Sequence, residues 1–328
     1  MAYLSVIVPV YNVKDYLSRC IDSLVSDCPS EDCEIIVVDD GSTDGSGDLA
    51  DRLADKYDIV RVLHKPNGGL SDARNFGVAQ ACGEYVFYID SDDYIEKDGL
   101  KTLIQVARLD KSDVIIGNFY YQYSDHADLF DKEAPEHQIV KGGEESLSML
   151  IEGKHFQNFA WGKLLRRELA QKYLFPKGRL FEDTYWFHLI LDEANQVSLV
   201  STPVVRYEQR DGSISFSYKL KSLDILDGYA ARLNFFCEKY PSLVDKQKVL
   251  MAENCISHAW MMIRYLSEED KKKGVEKLRS VINDYGLADC HLLEKSKRRK
   301  LKMILSNMTL FKISESIEKL MQRFSLYI

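Results

Sequence analysis

Short apolar runs, each ended by a polar turn and followed by a segment of helical spacing, set the rhythm of the opening third of the chain. Leu4-Ser5-Val6-Ile7-Val8-Pro9-Val10 predicts a buried strand, with Pro9 tolerated near its end. Lys14 to Ser26 places Tyr16, Leu17, Cys20, Ile21 and Leu24 on one helical face. The same alternation predicts strands at Glu34–Val38, Ile59–Leu63, Tyr85–Ile89 and Val114–Gly117, and helices at Ser46–Tyr57, Leu70–Ala81 and Lys97–Leu109. Strand and helix recur at intervals of about 25 residues, the signature of an α/β fold with a parallel sheet covered on both faces. The turns after the first, second and fourth strands are polar or acidic, so they are expected to line one sheet edge.

The rhythm breaks at Phe119. From there to Val140 an aromatic and acidic stretch, beginning Phe119-Tyr120-Tyr121-Gln122-Tyr123, predicts an antiparallel hairpin or a mobile loop. A helix is expected around Glu144–Ile151 and another, headed by Glu182 or Asp183, to Glu193; short strands follow at Val197–Val200 and Val204–Tyr207. After Ser217 the pattern is wholly helical: Leu223–Tyr240, Lys246–Leu266, Glu269–Tyr285 and Lys297–Phe324, with a break near Thr309. The expected domains are therefore 1–219 and 220–328, the second a small bundle packed on the sheet domain or serving a homodimer contact.

Charge sharpens this division. From Glu294 to Ile328, nine Lys or Arg against three Glu leave the tail at +6 and the remainder of the −8 chain at −14. An acidic body is a poor partner for nucleic acid, whose backbone needs a basic surface. The basic tail could instead meet an anionic membrane face as an amphipathic helix, through Phe311, Ile313, Ile317, Leu320, Met321 and Phe324. The alternative is a terminal helix that closes the bundle or makes a dimer contact. Seven cysteines with no CxxC pair and an odd count suit reduced thiols, and the amino terminus enters a strand pattern directly; a cytoplasmic protein is expected.

Candidate chemistry gathers at the predicted strand ends. The apolar run Tyr85 to Ile89 stops at Asp90-Ser91-Asp92-Asp93, where acids at alternate positions can converge on a cation. An N-cap for the next helix explains them as well. Asp39-Asp40-Gly41-Ser42-Thr43-Asp44 holds more acids than capping needs. Asn67-Gly68-Gly69-Leu70-Ser71-Asp72-Ala73-Arg74-Asn75 opens a helix with glycines and an Arg one turn in, which suits a diphosphate. Glu182-Asp183 stands at another helix start, where dipole stabilisation alone would favour acids. Neither GxxxxGK[ST] nor GxGxxG is present, histidines lack zinc spacing, and no nucleophile elbow occurs.

Taken in order and spacing, Val8-Pro9-Val10-Tyr11-Asn12, Val38 to Asp44, Gly68 to Asn75, Asp90 to Asp93 and Glu182-Asp183 closely resemble the family 2 glycosyltransferases of GT-A fold. The resemblance covers residues 1 to 215 and is strongest to bacterial enzymes that extend capsular or exopolysaccharide, teichoic-acid or adhesin glycans. It implies inverting transfer from a UDP-sugar to a glycan acceptor. Pro9 and Tyr11 would flank the uracil; Asp39, Asp40 and Asn67 would read base and ribose; Arg74 would sit by the ribose-diphosphate. Of Asp90-Ser91-Asp92, Asp90 would contact the nucleotide and Asp92 would ligate Mn²⁺ or Mg²⁺. Asp183 would be the catalytic base beside Glu182, with Trp161 and Lys163 on the acceptor side and Arg74 or Arg210 adding charge at the diphosphate. Family members often carry a His or a longer basic run where this chain reads Tyr207-Glu208-Gln209-Arg210-Asp211-Gly212-Ser213-Ile214, so the resemblance names no third metal ligand. An inactive nucleotide-sugar-binding scaffold would not require Asp183, and a nucleotidyltransferase would carry a basic glycine-rich loop where Tyr11-Asn12-Val13 stands.

Overall fold

The computed structural model describes residues 2–29, 31–210 and 218–314, which fall into two compact units, Met1–Asp211 and Gly212–Ile328. In the first unit β1 (Leu4–Val10) lies between β2 (Cys33–Asp39) and β4 (Tyr85–Tyr88), parallel to both, and β3 (Val60–His64) flanks β2. The crossovers are α1 (Lys14–Asp27), α2 (Ser46–Lys56) and α3 (Leu70–Ala79). Because β1, β2 and β4 are adjacent and parallel, their carboxyl-terminal turns do open on one edge.

Burial explains the order. Leu4, Val6, Val8 and Val10 alternate toward a core shared with Leu17, Ile21 and Leu24 of α1, each fully buried aliphatic chain contributing about 1.5–3 kcal/mol. Ile7 points to the opposite face, where α3 packs so closely that a Cβ at Gly77 would come within 2.6 Å of Ile7 Cγ2.

Beyond β4 the sheet departs from the simple rhythm. A short strand, β9 (Lys163–Arg166), runs antiparallel between β4 and β6 (Val114–Gln122), and β6 pairs in parallel with β10 (Gln196–Glu208). β1 to β4, β6 and β10 therefore share one direction, a mostly parallel central sheet. β5 (Tyr94–Ile95) and β8 (His137–Lys141) run antiparallel to β10, and β7 (Ala127–Leu129) forms the expected hairpin with β6. α4 (Gly99–Asp110), α5 (Glu144–Glu152), α6 (Arg167–Lys172) and α7 (Asp183–Glu193) complete the unit.

Two expectations need correction. The strands predicted on either side of Thr202-Pro203 are one continuous β10, with register shifts between Leu199 and Val205, because Pro203 withholds a ladder donor without ending the strand. Asp90 to Asp93 do not cap the next helix. They are followed by β5, and the amides at the start of α4 go instead to Asp27, which accepts from Asp98 N at 2.8 Å and Leu100 N at 2.7 Å.

The second unit contains α8 (Asp224–Lys239), α9 (Val244–Tyr265), α10 (Glu268–Asp284) and α11 (Lys295–Ser306), with a further helical run at 308–314. The predicted break falls at Asn307. Leu301 and Ile304 of α11 and Phe311 are fully buried in this unit's own core, so that apolar stripe closes the bundle. The outer face of α11 carries Lys295, Arg299 and Lys302, all exposed. Ile317, Leu320, Met321 and Phe324 lie outside the described residues, as do Asp211 to Ile214.

Candidate active site

The turns after β1 and β2 are laced together by the acids that the sequence concentrates there. Asp44 accepts from Lys14 N, the first residue of α1, at 3.1 Å, and from Ser46 N, the first of α2, at 2.9 Å; one carboxylate thus serves two helix amino termini. Asn12, in a left-handed conformation (φ 54°), accepts from Thr43 N at 2.8 Å. Tyr11 beside it is half exposed, and Pro9 is buried within β1.

The two acids at the end of β2 face inward. Asp39 accepts from Ser42 N at 3.0 Å and pairs with His64 Nδ1 at 2.9 Å. Burial pushes its pKa up, but the Ser42 and His64 bonds outweigh it and hold the carboxyl below the usual range. Asp40 accepts from Lys65 Nζ at 2.5 Å, Gly68 N at 2.9 Å and Gly69 N at 2.7 Å. Both Asp40 oxygens are thereby committed to the loop that precedes α3. In this state Asp40 braces the loop rather than facing a ligand, and Asn67 in that loop is exposed.

α3 carries the connections onward. Lys65 also pairs with Asp72 at 2.7 Å, and Asp72 pairs with Lys177. Arg74, 3% exposed, donates to Asp90 Oδ1 at 2.6 Å and to Glu182 Oε1, with its guanidinium over the Phe175 ring. Burial opposes its charge, yet Asp90 and Glu182 raise its pKa further. One buried guanidinium therefore joins the acid run after β4 to the acid pair at α7.

Asp183 is the first residue of α7, and the turn before it is unusual: Phe181 has φ 56° and accepts from Thr184 N at 3.0 Å. Positive φ at a bulky residue is held only where its surroundings impose it. Burial first, then the Glu182 charge, raises Asp183 to about 7 against the pull of Arg74 and Lys163. Lys163 is buried and donates to the carbonyls of Gln157, Phe159 and Trp161. Burial lowers its ammonium to about 7, with the Asp183 charge opposing.

Along the acid run, Ser91 is buried and Asp92 Oδ2 accepts from Arg210 Nη2 at 2.7 Å and Nε at 3.0 Å. Burial and the neighbouring Asp90 raise Asp92 despite Arg210. Asp93 is buried, accepts from Glu208 N at 2.8 Å, and leaves Oδ2 without a partner.

The structure thus brings Arg74, Asp90, Glu182 and Asp183 together and pairs Asp92 with Arg210. It places Trp161 and Lys163, 4% and 3% exposed, behind the surface: Trp161 stacks on Phe159 at 4.5 Å between ring centroids and leans on Tyr207 at 5.1 Å. Sequence reasoning assigned no role to Lys65, Asp72, Asn75 or Lys177. Asp72 and Asn75 were visible as neighbours on one helical face, three positions apart, but their partner segment has no periodicity to reveal it.

The family model described as "Glycosyl transferase family 2" matches residues 5–174. Among curated relatives, the putative glycosyltransferase EpsH of Bacillus subtilis (strain 168) is 32% identical over 289 residues, covering 85% of this chain and 81% of its own. Glycosyltransferase GlyG of Streptococcus pneumoniae serotype 4 is 34% identical over 218 residues, 64% of this chain and 72% of its own. Among solved structures, residues 1–349 of S. aureus TarS in complex with UDP-GlcNAc superpose with a TM-score of 0.68 at 23% identity, covering 97% of this chain and 92% of that one. The likeness to TarS is one of fold, and it bears out the α/β architecture with a helical carboxyl-terminal region. With the family model spanning more than half of its length and EpsH aligned over most of it, the chain belongs to glycosyl transferase family 2.

Proposed function

We propose that the protein is an inverting glycosyltransferase that moves a hexose or N-acetylhexosamine from a UDP-sugar to a hydroxyl of a glycan acceptor, forming a β linkage. The observation that carries this reading is Arg74, which ties Asp90, in the acid run after β4, to Glu182, the residue that precedes Asp183. Direct displacement at the anomeric carbon needs a base on one face and a stabilised leaving group on the other. Asp183, raised to about 7, is matched to taking a hydroxyl proton near neutral pH. Asp90, Asn67 and Tyr11 border the nucleotide, Asp39 and Asp40 hold the turns that present it, and Arg210 adds positive charge at the diphosphate.

Among the described residues no cluster of three or more His, Cys, Asp or Glu could hold a metal. Asp92 nonetheless fits a hard divalent cation: the Arg210 guanidinium on its Oδ2 has a side chain 23% exposed and can give way to an ion whose other oxygens come from diphosphate and water. Mn²⁺ or Mg²⁺ there would neutralise charge on the departing diphosphate. Residues 1–219 would form the catalytic domain. The exposed basic face of α11 in 220–328 suits peripheral contact with an anionic membrane on the cytoplasmic side.

A screen of UDP-sugars for Mn²⁺-dependent transfer tests the proposal. The wild type should consume one of them, and Asp183→Asn should bind UDP but transfer nothing. Appreciable turnover by Asp183→Asn would remove the base assignment.

A further inference from the structure

We propose that α3 couples the donor-side loop to the base, and that Asn75 is the positioning residue through which it does so. The inference rests on the donor and base assignments made above. Residues 174–182, between α6 and α7, form no regular element, yet they set the direction in which Asp183 enters α7. Such a segment must find partners for its backbone groups outside itself.

Asn75 supplies them. Its Oδ1 accepts from Phe175 N at 2.9 Å and its Nδ2 donates to Phe175 O at 2.8 Å, both buried. The side-chain amide thus pairs with the main chain as a neighbouring strand would. Phe175 then distributes the constraint: its ring stacks on Trp186 of α7 at 4.2 Å and meets Tyr88 of β4 edge-on at 5.3 Å. Two further ties run from the same helix to the same segment, Arg74 to Glu182 and Asp72 to Lys177.

The other end of α3 is fixed by the donor loop. Asp40 accepts from Gly68 N and Gly69 N, and Lys65 bridges Asp40 and Asp72. A nucleoside diphosphate that orders residues 67–70 therefore acts on a helix whose next turn holds the approach to Asp183. Ordering at one site lowers the cost of ordering at the other.

Hydrogen exchange on the full chain, with and without saturating UDP, reads this coupling. In the wild type UDP should slow exchange at 67–70 and at 174–184. In Asn75→Ala and Asn75→Asp it should slow only the first, while kcat with UDP-N-acetylglucosamine, or whichever UDP-sugar turns over, falls about 100-fold with UDP affinity kept, as expected for a misplaced base. Should Asn75→Ala not fold, Lys177→Met decides, because Lys177 is exposed: it should lose part of the protection at 174–184 and part of kcat. Asn75 variants that keep UDP protection at 174–184, or lose kcat and UDP affinity together, would overturn the inference. Wild-type protection at 67–70 alone would overturn it while sparing the donor site. No protection at either place would overturn both.

Discussion

Replacing Arg74 with methionine removes a cation that touches both acid motifs, and its cost should depend on pH. The Arg74 side chain is 3% exposed, Glu182 11% and Asp90 27%. Removing one partner from a buried ion pair costs about 3–5 kcal/mol; with Asp90 partly in water, the lower end, about 3 kcal/mol, applies to the first unit. A second loss comes through Asp183, whose pKa of about 7 is held down in part by Arg74. An unfolded Asp titrates near about 3.9, so the native state binds a proton that the unfolded state lacks between those values, and stability falls as pH rises through that window. Without Arg74 the window extends upward, each added pKa unit costing about 1.4 kcal/mol above neutral pH and nothing extra below it. Urea unfolding followed by near-ultraviolet circular dichroism should therefore show a deficit of about 3 kcal/mol at about pH 5.5 and about 4–5 kcal/mol at about pH 8.5. An equal deficit at both pH values would refute action of Arg74 on Asp183, and a deficit under about 1 kcal/mol would refute the buried pair itself.

Further outcomes follow from the same contacts. The acid limb of the transfer rate in the wild type should rise through about pH 7 as Asp183 deprotonates, and a limb near the ordinary carboxylate range would exclude it as the base. Asp92→Ala should abolish Mn²⁺-enhanced UDP binding in calorimetry, and unchanged affinity with and without Mn²⁺ would remove the proposed cation ligand. The wild type should float with vesicles containing anionic lipid at low salt, and Lys295→Glu with Arg299→Glu and Lys302→Glu should not; equal flotation of the two would exclude α11 as the contact.

How far the residues alone revealed this arrangement depends on the range of the interactions involved. The first four strands and three helices were legible because their signals are local: alternating burial in β1, helical spacing in α1, glycine at the start of α3. β9 was not, because Lys163-Leu164-Leu165-Arg166 is too short to show a period and becomes a strand only by pairing with both β4 and β6. The single β10 was hidden by Pro203, which looks like a terminus and is an irregularity. Charge asymmetry set the tail apart in the sequence, but did not reveal that Leu301, Ile304 and Phe311 are used up in their own core.

The site shows the same division more sharply. Residue types at strand ends marked the candidate acids, yet not what each one touches, since Asp39 and Asp40 are adjacent in sequence and have different partners: Ser42 and His64 for one, Lys65 and two glycine amides for the other. A carboxylate with both oxygens committed to two backbone amides and an ammonium cannot also face a ligand without releasing one of them. Asp40 is therefore better placed to hold the glycine loop than to read a ribose. The same reasoning separates Asp90 from Asp92: Asp90 is engaged by Arg74, which is buried and also holds Glu182, whereas Asp92 is engaged by Arg210, which is about a quarter exposed on the side chain. Of the two contacts the Arg210 one is cheaper to exchange for a cation. That difference in burial, rather than the Asp-Ser-Asp spacing itself, is what favours Asp92 over Asp90 in the proposed metal role.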